Sequence, residues 1–195
     1  MQILNYTPRA LWRRHLLYNR AGMRVLAVFN RLRWRTIDIP VLLWPPAREF
    51  FDTIQAEIQA EETIVSASDH LIDPARFEEF VQRVYAIDLA SPRKIALKID
   101  HLTRPPLVVR ILTIRFRRPT MEVQDLLNRL RCKDVHSLKD AIRNRYRDRI
   151  EDYVFDIIIH STETATQGEA VKRLLAECAT QVNRTEKRYE DQAAR

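Results

Sequence analysis

Between Tyr153 and Ala170 the chain reads YVFDIIIHSTETATQGEA, an apolar run that ends at a histidine and breaks into hydroxyl-bearing and acidic residues. Imidazole is the side chain best suited to exchanging a proton near neutral pH, so His160 is the candidate catalytic residue, and Thr162 and Glu163 behind it are candidate substrate contacts. The spacing predicts a buried strand over 154–159, in which Asp156, Ile158 and His160 share a face. Four residues of strand span about 13 Å, so Asp156 cannot orient the imidazole and any partner comes from another segment.

The available partners are basic. Lys139 and Arg143 repeat at a step of four on a helix predicted just before the strand, and Lys94 and Lys98 do so on an earlier one. Cations around a histidine keep it neutral, and they also suit an anionic ligand. A helix predicted to open near Thr166, with Glu169 at the capping-box spacing, would add the partial positive charge of its free amides. Together His160, Thr162, Lys139 and Arg143 would surround a phosphate or carboxylate. The plainer alternative is a histidine bonded to a neighbouring loop beside a solvated basic stripe.

Scarcity excludes several chemistries. Only two glycines occur, Gly22 and Gly168, and glycine-rich phosphate loops of the P-loop or dinucleotide type need more. Two cysteines, Cys132 and Cys178, fit neither a zinc motif nor a disulfide framework, so no metal site is expected and a reducing, cytoplasmic setting is the default. No apolar run approaches the roughly 18 residues of a membrane span. No cofactor can be named from these residues.

The net charge of +7 is concentrated at one end. Eight arginines (9, 13, 14, 20, 24, 31, 33 and 35) precede the first acidic residue, Asp38, and the rest of the chain is balanced to within one charge. Thr7-Pro8 starts a helix with Leu11, Trp12, Leu16 and Leu17 on one side. This basic segment, 1–35, reads as a helix packed on the core, a peripheral contact to an anionic membrane surface, a grip on a nucleic-acid backbone or a transit peptide.

From Thr36 onward strands and helices alternate. TIDIPVLLW (36–44) is a strand whose Pro40 indicates an edge or bulge, and a helical period follows Pro45-Pro46. A short strand begins at Ile64-Val65, Asp73-Pro74 and Ser91-Pro92 each open a helix, and LVVRILTIRF (107–116) is a strand. Thr120 and Ser137 are expected to cap two further helices, the second burying Leu138, Ile142, Tyr146 and Ile150. The expected architecture is α/β, a single domain over 36–180 with a mixed, partly parallel sheet flanked by helices, and a frayed polar tail over 181–195.

Two resemblances bear on function. The succession FVQRVYAID, LVVRILTIRF, LKDAIRNRYRDRI and YVFDIIIHSTETATQ resembles modules of bacterial and viral proteins of surface-polysaccharide assembly, including glycosyl- and phosphotransferases. The matching positions are Lys139, Arg143, Tyr146, Asp156, His160, Thr162 and Glu163. His101-Leu102-Thr103 and His160-Ser161-Thr162 resemble the paired H-x-T signature of two-histidine phosphoesterases, although arginine and glutamate stand where an apolar residue should follow each triplet. The expectation is a domain that recognises an anionic small molecule such as a nucleotide sugar, with His160 as acid or base, Lys139, Arg143, Lys94, Lys98, Thr162 and Glu163 as binding residues, and no evident nucleophile. The alternatives are a noncatalytic basic module for membrane or nucleic acid, and a two-histidine phosphodiesterase.

Overall fold

The computed structural model describes residues 36–87, 91–124, 129–154, 156–162 and 165–184. The arginine-rich segment 1–35 and Glu163 therefore lie outside the described residues.

Apolar β-rich sequence makes β1 from Thr36–Leu43, and Pro45-Pro46 ends it in a 3-10 turn (Pro45–Phe50) that leads into α1 (Phe51–Glu61). Then come β2 (Thr63–Ile72), α2 (Pro74–Ile87), α3 (Pro92–Leu102) and β3 (Val108–Arg117). A small hairpin of β4 (Met121–Gln124) and β5 (Arg129–Cys132) precedes α4 (Lys133–Tyr146). A second 3-10 turn (Arg147–Arg149), the short β6 (Ile159–Ser161), α5 (Ala165–Cys178) and β7 (Ala179–Arg184) complete the described chain.

Five strands form one sheet in the order β6-β1-β3-β2-β7, and every neighbouring pair is antiparallel. The expectation of a partly parallel sheet is thus overturned. Because β3 is antiparallel to both β1 and β2, those two strands run the same way with β3 between them, and α1 joins them. In the same manner β3 and β6 run together with β1 between, joined through α4. These are two interleaved split β-α-β units, the ferredoxin-like arrangement, with β7 added outside β2. Alternation of strand and helix indicated the α/β class, but it could not reveal that β3 inserts between β1 and β2 or that β2 and β3 run in opposite directions.

Other expectations fail for similar reasons. The strand predicted over 154–159 is confined to Ile159–Ser161, because Asp156 adopts φ 62° and breaks the alternation. The strand at Ile64 continues through the polar Ser66-Ala67-Ser68-Asp69, since Asp69 receives both Nε (2.5 Å) and Nη2 (2.9 Å) of Arg110 from neighbouring β3. Thr120 opens no helix: a hairpin follows it, and its N–H donates to Asp134 Oδ2 at 2.7 Å. Ser137 lies inside α4 rather than at its cap. Residues 179–184 pair with β2, so the expected fraying does not begin at 181, and the rest of that tail, 185–195, lies outside the described residues.

Pro40 sits in an interior strand, yet β6 covers only Val41–Leu43, so β1 has a single partner at Pro40 and the missing N–H breaks no ladder bond. Asp73 and Ser91 illustrate two kinds of helix start. Ala75 N–H donates to Asp73 Oδ1 at 2.9 Å, whereas Ser91 precedes a proline-led first turn with no side-chain cap bond. Asp73→Ala is expected to lower stability by about 1 kcal/mol in urea denaturation, and Ser91→Ala to have a smaller effect.

Candidate functional site

His160 lies on β6 opposite Leu42, so its ring shares a face with Leu42 and, two residues on, Trp44. That face is covered by α2 and α5. Tyr85 of α2 meets the imidazole edge-on with centroids 4.8 Å apart, and Trp44 lies 6.2 Å away while stacking on Tyr85 at 5.9 Å. The histidine is only 6% exposed. The sequence pointed to a residue emerging at the sheet rim; the structure places it beneath an aromatic cover.

The cations expected around it are partly assembled. Lys139 and Arg143 from α4 and Lys98 from α3 all act on the imidazole, which burial first and these three charges second hold well below its ordinary pKa. His160 is therefore neutral at physiological pH. Lys98 is itself depressed to about 8, chiefly by burial, with Arg143, Lys94 and Lys139 adding to the effect and Asp156 opposing it. Its Nζ donates to Tyr85 Oη at 3.3 Å and stands 4.6 Å from the ring centroid. Lys94 reaches this group through its field on Lys98 and is exposed.

Arg143 has a fixed position. Nη2 donates to the carbonyl of Ile159 at 3.1 Å, and ion pairs of 3.5 Å join it to Asp140 and Asp156. It pins the edge of β6 to α4, a positioning task as much as a binding one. The left-handed turn at Asp156, which ended the expected strand, is what brings that carboxylate to Arg143. Thr162 is 2% exposed, and no group among the described residues hydrogen-bonds its Oγ1, nor Ser161 Oγ on the opposite face. Tyr146 is engaged elsewhere: its hydroxyl donates to Glu57 Oε1 at 2.9 Å, and burial followed by that carboxylate raises its pKa to about 12.

Tyr85 and Trp44 were missed as site residues because each falls within an apolar pattern that reads as core. A polar hydroxyl one position beyond the Phe77, Phe80, Val81, Val84 stripe was the available signal. Of the other H-x-T triplet, His101 lies in the last turn of α3, three residues after Lys98, and Thr103 Oγ1 is spent on the helix carbonyl of Ile99 at 2.7 Å. That bond engages the hydroxyl a phosphodiester reading requires. Among the described residues no group of three or more His, Cys, Asp or Glu side chains could hold a metal ion. Nor is any helix of the described residues long and apolar enough to cross a membrane.

No protein family model and no curated protein sequence matches the chain. Solved structures overlap it in part, two nucleoside diphosphate kinases among them. A nucleoside diphosphate kinase from Aquifex aeolicus does so with TM-score 0.44 and 12% identity, over 71% of this chain and 94% of that one. An NDP kinase from Pyrobaculum aerophilum does so with TM-score 0.41 and 16% identity, again over 71% and 94%. Likeness this slight leaves the chain similar to these proteins in outline and assigns it to no family.

Proposed function

We propose that the domain recognises a phosphorylated or otherwise anionic small molecule at the His160 cluster, with a nucleotide sugar as the favoured class. The observation that carries this reading is a neutral, buried imidazole in the combined field of Lys98, Lys139 and Arg143, drawn from two helices. Bringing three cations together beside an imidazole is unfavourable by itself, and an anion among them would relieve the repulsion. The Thr162 hydroxyl, which has no hydrogen-bond partner among the described residues, adds a donor just past the end of β6. In the enzymatic form of the proposal, the domain transfers a glycosyl or phosphoryl group. Neutral His160 then removes a proton from the attacking hydroxyl as the bond to the phosphate leaving group breaks, and the cations stabilise the negative charge that develops on that departing phosphate. Ligand access to the imidazole requires the Tyr85 and Lys98 cover to shift, a change that breaks the 3.3 Å bond between them.

Thermal denaturation with nucleotide sugars, sugar phosphates and pyrophosphate tests the reading. A ligand at ten times its Kd stabilises by about 1.4 kcal/mol, which is roughly 3 to 5 °C for a chain of this size. The parent should show that rise, and His160→Gln and Lys139→Ala should bind at least about tenfold more weakly. An unchanged melting temperature with every compound, or an identical response from His160→Gln, would sink it.

A further inference from the structure

We propose a second binding site, for a phosphorylated sugar, in the cleft between the two 3-10 turns. The cleft has a volume of about 410 Å³ and shares no residue with the His160 cluster. That volume lies within the range of small-molecule sites, and this inference does not depend on the reading of His160.

Its walls are two proline pairs, Pro45-Pro46 after β1 and Pro105-Pro106 before β3, with Phe50 and Ile150 alongside. Proline rings hold the backbone at a fixed φ, so the walls are already shaped and little ordering entropy is lost when a ligand enters. Flat apolar surfaces of this kind pack against the C–H face of a pyranose ring.

Three arginines line the same cleft, Arg48, Arg104 and Arg149. Arg104 is oriented by hydrogen bonds of 3.1 Å to the carbonyl of Glu151 and 3.1 Å to Asp152 Oδ2. Arg149 lies over the ring of Tyr146 with its carbon 5.4 Å from the centroid, a contact that uses none of its N–H donors. Among the described residues the Arg48 guanidinium has no hydrogen bond or ion pair, and Arg149 has no carboxylate partner. Arg110 and Arg115 differ, since both are held in two-pronged carboxylate pairs. Guanidinium matches phosphate through paired N–H donors, so Arg48 and Arg149 are the groups available to a phosphate.

Glu49 and Glu151 also line the cleft. Toward a bare phosphate they are repulsive. Toward a sugar phosphate they are acceptors for hydroxyl groups, which is why the combination of guanidinium, carboxylate and apolar wall selects a phosphorylated sugar over a simple anion.

Calorimetric titration with a hexose 6-phosphate, inorganic phosphate and the free hexose tests this. The hexose phosphate should bind at least about tenfold more tightly than either fragment. Arg48→Ala with Arg149→Ala should weaken it by about tenfold or more, while Glu49→Gln with Glu151→Gln should weaken the hexose phosphate and leave inorganic phosphate unchanged or tighter. Arg48, Arg149, Glu49 and Glu151 are exposed, so circular dichroism should show these variants folded. His160→Gln should leave this binding intact. The proposal is overturned by no saturable binding up to about 10 mM, by equal affinity for inorganic phosphate, which would mean an adventitious ion only, or by loss of binding in His160→Gln but not in the arginine variant.

Discussion

Lys98→Met should make the protein more stable at neutral pH and, at the same time, a poorer binder of anions. The folded state lowers the lysine pKa from 10.5 to about 8. Between those values the unfolded chain holds the proton more strongly, so parent stability rises with pH through that window and is lowest, for this group, below it. A shift of this size corresponds to at most about 3 kcal/mol, reduced by whatever water reaches the half-buried ammonium. Methionine keeps the stem volume and removes the charge. Denaturation at pH 7 should therefore show a gain of roughly 2 kcal/mol and several degrees in Tm, and the advantage should disappear above about pH 10. A gain that persists unchanged at high pH would show that packing, not charge, is responsible. Coupled with weaker anion binding, the gain is the expected signature of a charge retained for function at a stability cost.

His160 has the complementary effect at acid pH. Its pKa is held well below 6.5 in the folded state, so the unfolded chain takes up a proton first as pH falls, and stability declines from about pH 6.5 downward.

Gly168→Ala should lower stability by about 2 kcal/mol, against a helix propensity that alone would favour alanine by about 1 kcal/mol. A Cβ at position 168 would stand 2.5 Å from both Cγ and Cδ of Pro40 and 3.4 Å from Thr162 Oγ1. The proline ring is embedded in β1 and cannot swing aside like the tip of a flexible side chain. To admit the methyl group, α5 must lift from the sheet beside the strand that carries His160. In thermal unfolding the loss is about 4 to 8 °C. Pairing the change with Pro40→Ala should recover more than about 1 kcal/mol of coupling. A neutral or stabilising Gly168→Ala would show that the contact is not rigid.

The glycine also shows how far local pattern reaches. Counting glycines argued against glycine-rich phosphate loops, but nothing in the spelling around Gly168 indicated that it allows a helix to approach Pro40. The cationic set was better signalled. Lys139 and Arg143 recur at helical spacing on a helix whose neighbouring stripe is apolar, and the charges of both act on His160. Lys98 follows the same logic on α3. Tyr85 and Trp44, which cover the imidazole, were invisible as site residues because an aromatic within an apolar stripe looks the same whether it lines a site or fills a core.

Periodicity in this chain reports which face of each segment is apolar, because burial repeats at 3.6 residues in a helix and 2 in a strand. It therefore specified the helices at Pro74, Pro92 and Lys139, the long strand before Arg117 and the mixed α/β class. Strand neighbours are another matter. That β3 lies between β1 and β2, that Ser66 to Asp69 belong to a strand and that Asp156 turns left-handed toward Arg143 all follow from contacts between different segments of the chain. Hydrogen-bond partners and ion pairs formed on closure of the whole sheet supply that free energy, and no window of neighbouring residues contains it.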